Sequence, residues 1–155
     1  MNPKKINKLT FSILTLIIII LCTVLGKVYN EKQDVLNSAN KKYLSDLDKI
    51  LSGLNVDYST GNDSDKIYLY SNTISSIESA RQMYSLTQYS YRDSEMSNIL
   101  DILQNYMRNQ FLVNFDDFNK KQLDLYNGLN AIYMNPSDKD AIQSFNDYLS
   151  MIEKK

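Results

Sequence analysis

Residues 9–26 read LTFSILTLIIIILCTVLG, an uncharged run of 18 residues between Lys8 and Lys27. As an α-helix with a rise of about 1.5 Å per residue, the run reaches roughly 27 Å, close to the thickness of a bilayer's hydrocarbon core. A helix also satisfies its own backbone hydrogen bonds, which lipid requires. The run therefore predicts a transmembrane helix over residues 9–26.

The residues before the run predict its orientation. Lys4, Lys5 and Lys8 are the only charged residues of segment 1–8, and all three are basic. Under the positive-inside rule this tail stays in the cytoplasm. Residues 27–155 then form an extracytoplasmic domain of a single-pass plasma membrane protein.

Two other interpretations of the run stay open. Val24-Leu25-Gly26 ends in a small residue and would allow cleavage before Lys27, giving a secreted protein. The run is, however, longer than the ~7–15 residues usual in a cleaved signal peptide. A lipoprotein with a lipidated Cys22 is disfavoured, because Leu21 stands where a small residue is normal. We favour the uncleaved signal anchor.

The composition of the chain limits both fold and partners. With 4 Gly and 2 Pro in 155 residues, the sequence lacks the turn residues of sandwiches and barrels. From Lys27 onward 14 basic residues face 18 acidic ones, so a nucleic-acid partner is not expected. The single cysteine lies within the apolar run, which excludes a disulfide framework. The low cysteine content and simple anchor fit a bacterial plasma membrane protein.

Apolar residues recur with helical spacing through residues 27–155. The first helix is expected to continue to Gly53–Asn55, and a second is expected from Asp65 to Tyr91. The predicted core stripes of these two helices are Val28, Val35, Ala39, Tyr43, Leu47, Ile50 and Leu54, then Ile67, Tyr70, Ile74, Ile77, Arg81 and Tyr84.

The later part of the domain is expected to add two helices. Asp93 or Ser94 begins a segment of about forty residues that ends at Asn135-Pro136, either as one helix or with a kink near Asn114. Ser137 then caps a last helix, whose inner face is Ala141, Ile142, Phe145, Tyr148, Leu149 and Ile152. The predicted fold is all-α: a transmembrane helix followed by an antiparallel bundle of about four helices.

The sequence frames no catalytic motif, although its serines and lysines leave a Ser nucleophile with a Lys base open. The chain has no His, and its thiol lies in the apolar run, so the usual general base and nucleophile are missing. Gly-rich phosphate loops and zinc-type clusters are absent from the sequence. We therefore expect a non-enzymatic protein with no cofactor, and we assign no catalytic or metal-binding residue.

The acidic residues of the sequence do not form a metal-binding pattern. Between Asp57 and Asp65, every second residue is Asp, Ser or Gly, and alternating oxygen ligands of this kind are typical of calcium loops. Asn62 and Tyr68 replace the Gly and Glu that such a loop requires, so we expect a solvated loop with a helix cap at Asp63 or Ser64. The pairs Asp46/Asp48 and Asp116/Asp117 are likewise expected to be solvated.

Tyrosine and arginine supply the candidate contact residues. All 12 tyrosines follow the apolar run. Tyr89 and Tyr91, beside Arg92 at a predicted helix end, are the candidate contacts for a protein partner, since tyrosine and arginine are enriched at interfaces. Arg81 interrupts an apolar stripe and is the candidate contact for a carboxylate ligand.

These observations favour a membrane-tethered interaction module, an accessory or scaffold protein that meets a protein partner at the cell envelope. One alternative is a ligand-sensing ectodomain. An antiparallel bundle outside a membrane is similar to the ligand-binding part of bacterial chemoreceptors, a resemblance of fold without a residue motif. With one apolar run, such a sensor would have to signal through a partner. A membrane-anchored immunity protein is a further alternative.

Overall fold

Every regular element of the described residues is an α-helix. The computed structural model describes residues 3–58, 60, 62–90, 95–113 and 115–153, and these ranges contain no strand. The expected all-α class is therefore confirmed. The helices are α1 (Pro3–Leu54), α2 (Asp63–Tyr84), α3 (Glu95–Val113), α4 (Phe115–Met134) and α5 (Lys139–Glu153).

The first of two compact units is Met1–Leu36, which holds the N-terminal part of α1. Here α1 contains an 18-residue window that is apolar enough to cross a membrane, and 0% of the window is buried. The hydroxyls of Thr15 and Thr23 donate to the carbonyls of Phe11 and Ile19 at 2.9 and 2.8 Å, which suits apolar surroundings. By length and composition this stretch fits a membrane anchor or a signal sequence.

The buried face of α1 begins later than the sequence predicts. Val28 and Val35 are 56% and 63% exposed, whereas Ala39 is 6% and Tyr43 0% exposed. The expectation that the packed stripe starts at Val28 is therefore wrong. Periodicity shows which face of a helix is apolar, but it does not show where along the helix packing begins.

The second unit, Asn37–Lys155, is an antiparallel arrangement of helices. Asn40 Oδ1 accepts from the Gln88 amide, and Asp46 accepts from the Ser79 hydroxyl, so α2 runs against the end of α1. Contacts between later helices show the same antiparallel order. α2 meets α3 through the pairs Arg81–Asp101 and Tyr70–Phe111. α4 meets α5 through the pairs Asp124–Tyr148 and Gly128–Phe145.

The long third segment is two helices rather than one. In a continuous helix Tyr106 and Lys121 would lie roughly 22 Å apart along the axis. Instead, Lys121 Nζ lies 5.8 Å from the centre of the Tyr106 ring, so α4 folds back along α3. The predicted single helix of about forty residues is therefore wrong. Asn114, the predicted site of a kink, lies outside the described residues.

The core of this unit joins all five helices, α1 through its last four turns. Its fully buried members include Leu47, Ile50, Leu54, Ile77, Ile99, Leu103, Phe118, Leu125, Leu129 and Leu149. The buried Gln122 amide donates to the carbonyls of Leu54 and Val56 at 2.7 and 2.6 Å. Gln122 thereby satisfies acceptors that the end of α1 leaves without a partner in the helix.

Most helix boundaries agree with the sequence to within a few residues, but the end of α2 does not. α1 ends at Leu54 and α4 at Met134, as Gly53–Asn55 and Asn135-Pro136 predict. The caps differ by one residue from those expected: Asn62 Oδ1 accepts from the Asp65 amide at α2, and Asp138 Oδ1 accepts from the Asp140 amide at α5. α2 ends at Tyr84 rather than Tyr91.

Candidate functional site

The face that α2 turns toward the core differs from the predicted one. Its buried residues are Thr73, Ser76, Ile77, Ala80 and Tyr84. Ile77 and Tyr84 were expected there, but Ile67, the first residue of the predicted stripe, is 60% exposed. Ile67 and Tyr68 at the start of α2 therefore face solvent, whereas Leu69 and Tyr70 are half-buried against the core.

A close helix crossing explains this rotation. A Cβ added at Gly53 would overlap the Thr73 hydroxyl and lie 2.9 Å from the Thr73 Cβ. Helices approach this closely only where small side chains meet. Thr73 and Ser76 therefore turn toward α1, and isoleucines 67 and 74 move to the flank of α2.

A first groove lies between the end of α1 and α2, and we call it the α1–α2 groove. Its volume is about 550 Å³. Hydroxyl, amide and ammonium groups line it together with an apolar floor: Lys49, Ser52, Gly53, Val56, Leu69, Asn72, Thr73, Ser75 and Ser76. The groove is thus rich in hydrogen-bond donors, and Lys49 is the one charged residue among the described residues that line it.

A buried carboxylate lies beside this groove, contrary to expectation. Asp46 is 1% exposed and accepts from Lys42 Nζ and Ser79 Oγ, each at 2.6 Å. Lys49 Nζ lies 3.7 Å from the same carboxylate. The prediction that Asp46 is solvated is wrong, because its carboxylate joins α1 to α2. Asp48, two residues later, is exposed as predicted.

A second groove, the α2–α3 groove, follows the other flank of α2. Its volume is about 570 Å³, and it is lined by Tyr70, Ser71, Ile74, Ser75, Glu78, Gln104 and Arg108. Ser75 lines both grooves. The solvent-facing side of α2, which we call the α2 ridge, therefore lies between the two grooves. The exposed side chains of Ile67 and Tyr68 lie at the N-terminal end of this ridge.

Stacked aromatic rings fix one end of the α2–α3 groove. The rings of Tyr70 and Phe111 are 4.3 Å apart and nearly parallel, at 14°. Phe111 in turn packs edge-on against Tyr58, with centroids 5.0 Å apart. Burial raises the pKa of the Tyr70 phenol, and the Arg108 guanidinium lowers it by a smaller amount. The Tyr70 hydroxyl therefore stays protonated at neutral pH and faces a cation.

Arg81, the predicted ligand contact, bonds to protein carboxylates. Its Nη1 lies 2.8 Å from Asp101 Oδ1, and its Nη2 lies 2.9 Å from Glu78 Oε2. Hydrogen bonds from Gln82 and then Arg81 lower the pKa of Glu78. Arg81 thus fastens α2 to α3 at the rim of the groove. Its contact with a carboxylate ligand stays a prediction.

The predicted partner contact is described only in part. Tyr89 is half-buried, and its ring centroid lies 5.9 Å from that of the buried Tyr43. The Tyr84 carbonyl accepts from the Thr87 hydroxyl and amide at 2.7 and 3.0 Å, which turns the chain after α2 and brings Tyr89 back onto the core. Tyr91 and Arg92 lie outside the described residues, so contact through these three stays a prediction.

The sequence did not single out the residues that line the two grooves. Tyr70 and Ile74 were expected on the core stripe, and no sequence pattern pointed to Arg108. The sequence did contain one indication of this surface. Ser71, Ser75 and Glu78 recur with helical spacing along one flank of α2, and polar residues in such a series favour a solvated helix face.

Within the described ranges no three His, Cys, Asp or Glu side chains gather where they could hold a metal ion. Of the calcium-like run, Ser59 and Gly61 lie outside those ranges. No protein-family model, no curated protein and no solved structure matches the chain.

Proposed function

We propose that the chain is a membrane-tethered, non-enzymatic interaction module of the cell envelope, and that α2 presents its binding surface to a protein partner. The observation that carries this proposal is the exposure of Ile67 and Tyr68, at 60% and 67%, on the ridge that leads between the two grooves. We call Ile67, Tyr68 and the lining of both grooves the α2 surface. Large apolar and tyrosine side chains that lie between grooves of mixed polar and apolar lining are typical of protein interfaces.

The apolar stretch of α1 supports the tethered part of the proposal. It is long enough to anchor the chain in the plasma membrane, with residues 1–8 inside and residues 27–155 outside. On that topology the α2 surface meets proteins of the envelope. The buried carboxylate of Asp46 is paired with Lys42, so it is not available to a partner and recognition is left to surface side chains.

Photocrosslinking on intact cells tests the proposed surface. A photoreactive phenylalanine analogue replaces Tyr68, and in a second strain it replaces Leu123 on α4. Leu123 is the matched control because its side chain is 66% exposed, nearly the same as the 67% of Tyr68. We expect a discrete adduct from position 68 only.

The crosslinking outcome is decisive for the surface. Identical adducts from positions 68 and 123, or none from either, would contradict the proposal. A variant in which Ile67 and Tyr68 both become Ser should lose the partner in affinity purification while it keeps its helix content. Such a loss separates recognition from folding, because both side chains are largely exposed.

A ligand-sensing ectodomain is the second candidate, and the two grooves favour it. Their volumes of about 550 and 570 Å³ fall within the range of small-molecule sites. A sensor should show a thermal shift with a small molecule in the absence of any partner protein. Substitution of Asn72 by Trp in the α1–α2 groove, or of Ser71 by Trp in the α2–α3 groove, should abolish that shift.

A further inference from the structure

The charges that line the α2–α3 groove do not balance each other. Glu78 is saturated: one carboxylate oxygen accepts from Arg81 and Gln82 at 3.0 and 2.9 Å, and the other accepts from Arg81 and Gln104 at 2.9 and 3.3 Å. These four bonds occupy the acceptor positions that a carboxylate offers. Glu78 is therefore not available to a cationic ligand.

Arg108 is the free charge of the groove. Among the described residues no carboxylate lies within 4.0 Å of its guanidinium, whereas Arg81 has two such partners. Arg108 follows Gln104, which donates to Glu78, by one helical turn, about 6 Å along α3. The groove thus has a neutralised end and a cationic end.

The cationic end has the donors that a carboxylate requires. The guanidinium of Arg108 offers a planar fork of N–H groups, and the Tyr70 hydroxyl, held in place by the stack on Phe111, adds an O–H donor. Ser71 and Ser75 contribute hydroxyls to the same lining, and Ile74 supplies an apolar wall. A carboxylate on a short aliphatic stem matches this combination of groups.

We infer that the α2–α3 groove receives an acidic side chain of the protein partner, whose carboxylate binds Arg108 and Tyr70 while its stem packs on Ile74. The inference rests on the proposed interaction surface and names the chemistry that surface recognises. The partner segment is acidic, so its association should weaken as salt concentration rises.

A direct binding measurement tests the groove without the partner. The full chain in detergent is titrated with a fluorescent, end-capped tetraglutamate peptide and, separately, with the tetraglutamine peptide. We expect the glutamate peptide alone to bind, and Arg108→Gln to weaken it by about tenfold or more, the effect of losing a hydrogen bond to a charged group. Tyr70→Phe keeps the ring stack and should give a smaller loss.

The matched control is Lys120→Gln, which removes one positive charge from an exposed position on α4 outside the groove. It should leave the binding of the glutamate peptide unchanged. Failure of the glutamate peptide to bind, equal binding of the glutamine peptide, or equal losses in Arg108→Gln and Lys120→Gln would each overturn the inference.

Crosslinking from position 68 separates this inference from the proposed function. In an Arg108→Gln background we expect the yield of the partner adduct to fall at least severalfold. An adduct of unchanged yield would overturn the acidic-residue inference and leave the interaction surface intact. Absence of the adduct in the chain with native Arg108 would instead overturn the interaction surface.

Discussion

Asp46 is a buried carboxylate that joins α1 to α2. Its carboxylate is 1% exposed and accepts from Lys42 on α1 and Ser79 on α2. Asp46→Asn replaces an ionic acceptor with a neutral amide and should lower the free energy of unfolding by about 2 kcal/mol. Thermal melts of the full chain, followed by circular dichroism, measure the change. Asp48→Asn is the control, and an equal effect of the two substitutions would contradict the assigned role.

The hydroxyl of Tyr43 is buried without a hydrogen-bond partner among the described residues. Its ring is 0% exposed and packs against the ring of Tyr84, with centroids 5.4 Å apart. An unsatisfied buried hydroxyl opposes folding by about 1 kcal/mol or more, so Tyr43→Phe should raise the stability by that amount at neutral pH. A destabilised Tyr43→Phe variant would show that the hydroxyl has a partner that the geometry does not reveal.

The same substitution should change the response to alkaline pH. Burial, and then the neighbouring Tyr84 and Tyr89, raise the pKa of Tyr43 above its value in the unfolded chain. Below the unfolded pKa of about 10 the phenol is neutral in both states; as pH rises from there toward the folded pKa, the unfolded chain loses the proton first and the stability falls. Denaturation at a series of pH values above neutral should show a shallower decline for Tyr43→Phe than for the native chain.

At the scale of helices, Gly53 sets the contact between α1 and α2. An added Cβ would overlap the Thr73 side chain, and overpacking of this kind costs about 1–3 kcal/mol. Gly53→Ala should therefore lower the melting temperature of the full chain, although alanine favours helix formation. Thr73→Ala in the same chain should restore part of the loss, since it removes the overlapping hydroxyl.

Gly26→Ala is the matched control for that experiment. A Cβ at Gly26 has nothing within 4 Å, so the substitution should leave the stability unchanged or slightly raised. If Gly26→Ala and Gly53→Ala behave alike, the closeness of the crossing does not explain the orientation of α2.

The buried face was predicted correctly for α5 but not for α2, and the reason is physical. The inner face of α5 was predicted with its buried residues Ile142, Phe145, Leu149 and Ile152, because a strong apolar stripe leaves one packing solution. α2 has serine and threonine on its packed face, so the contact with Gly53 decides its rotation. That contact joins residues 20 positions apart and leaves no local signal.

The reversal between α3 and α4 was missed for a related reason. Apolar residues keep one helical phase from Met96 to Ile132, so the pattern fits a single helix as well as two helices that share a core. The ring cluster of Phe111, Phe115 and Phe118 lies where α4 turns back, with centroids 5.6 to 6.4 Å apart. Periodicity cannot distinguish these arrangements, because both bury the same residues.

At the scale of the whole molecule, the sequence predicted the all-α class, the apolar N-terminal helix and the lack of strands in the described ranges. It did not locate the α2 surface, since that surface depends on how three helices cross. Composition and periodicity are properties of single segments, whereas grooves and exposed ridges arise between segments. The candidate site was therefore the part of the molecule that sequence reasoning could reach least.

Labelling of single thiols can show on which side of the membrane each part of the chain lies. Cys22 is the single cysteine, so a Cys22→Ser background allows one new thiol at a chosen position. Ser144 is exposed on α5, and Ser144→Cys should react with a membrane-impermeant maleimide on intact cells. Asn7→Cys, in the basic tail, should react only after the cells are permeabilised. The reverse pattern would show that residues 27–155 are cytoplasmic, and a labelled chain that begins near Lys27 and is found in the medium would show a cleaved signal sequence.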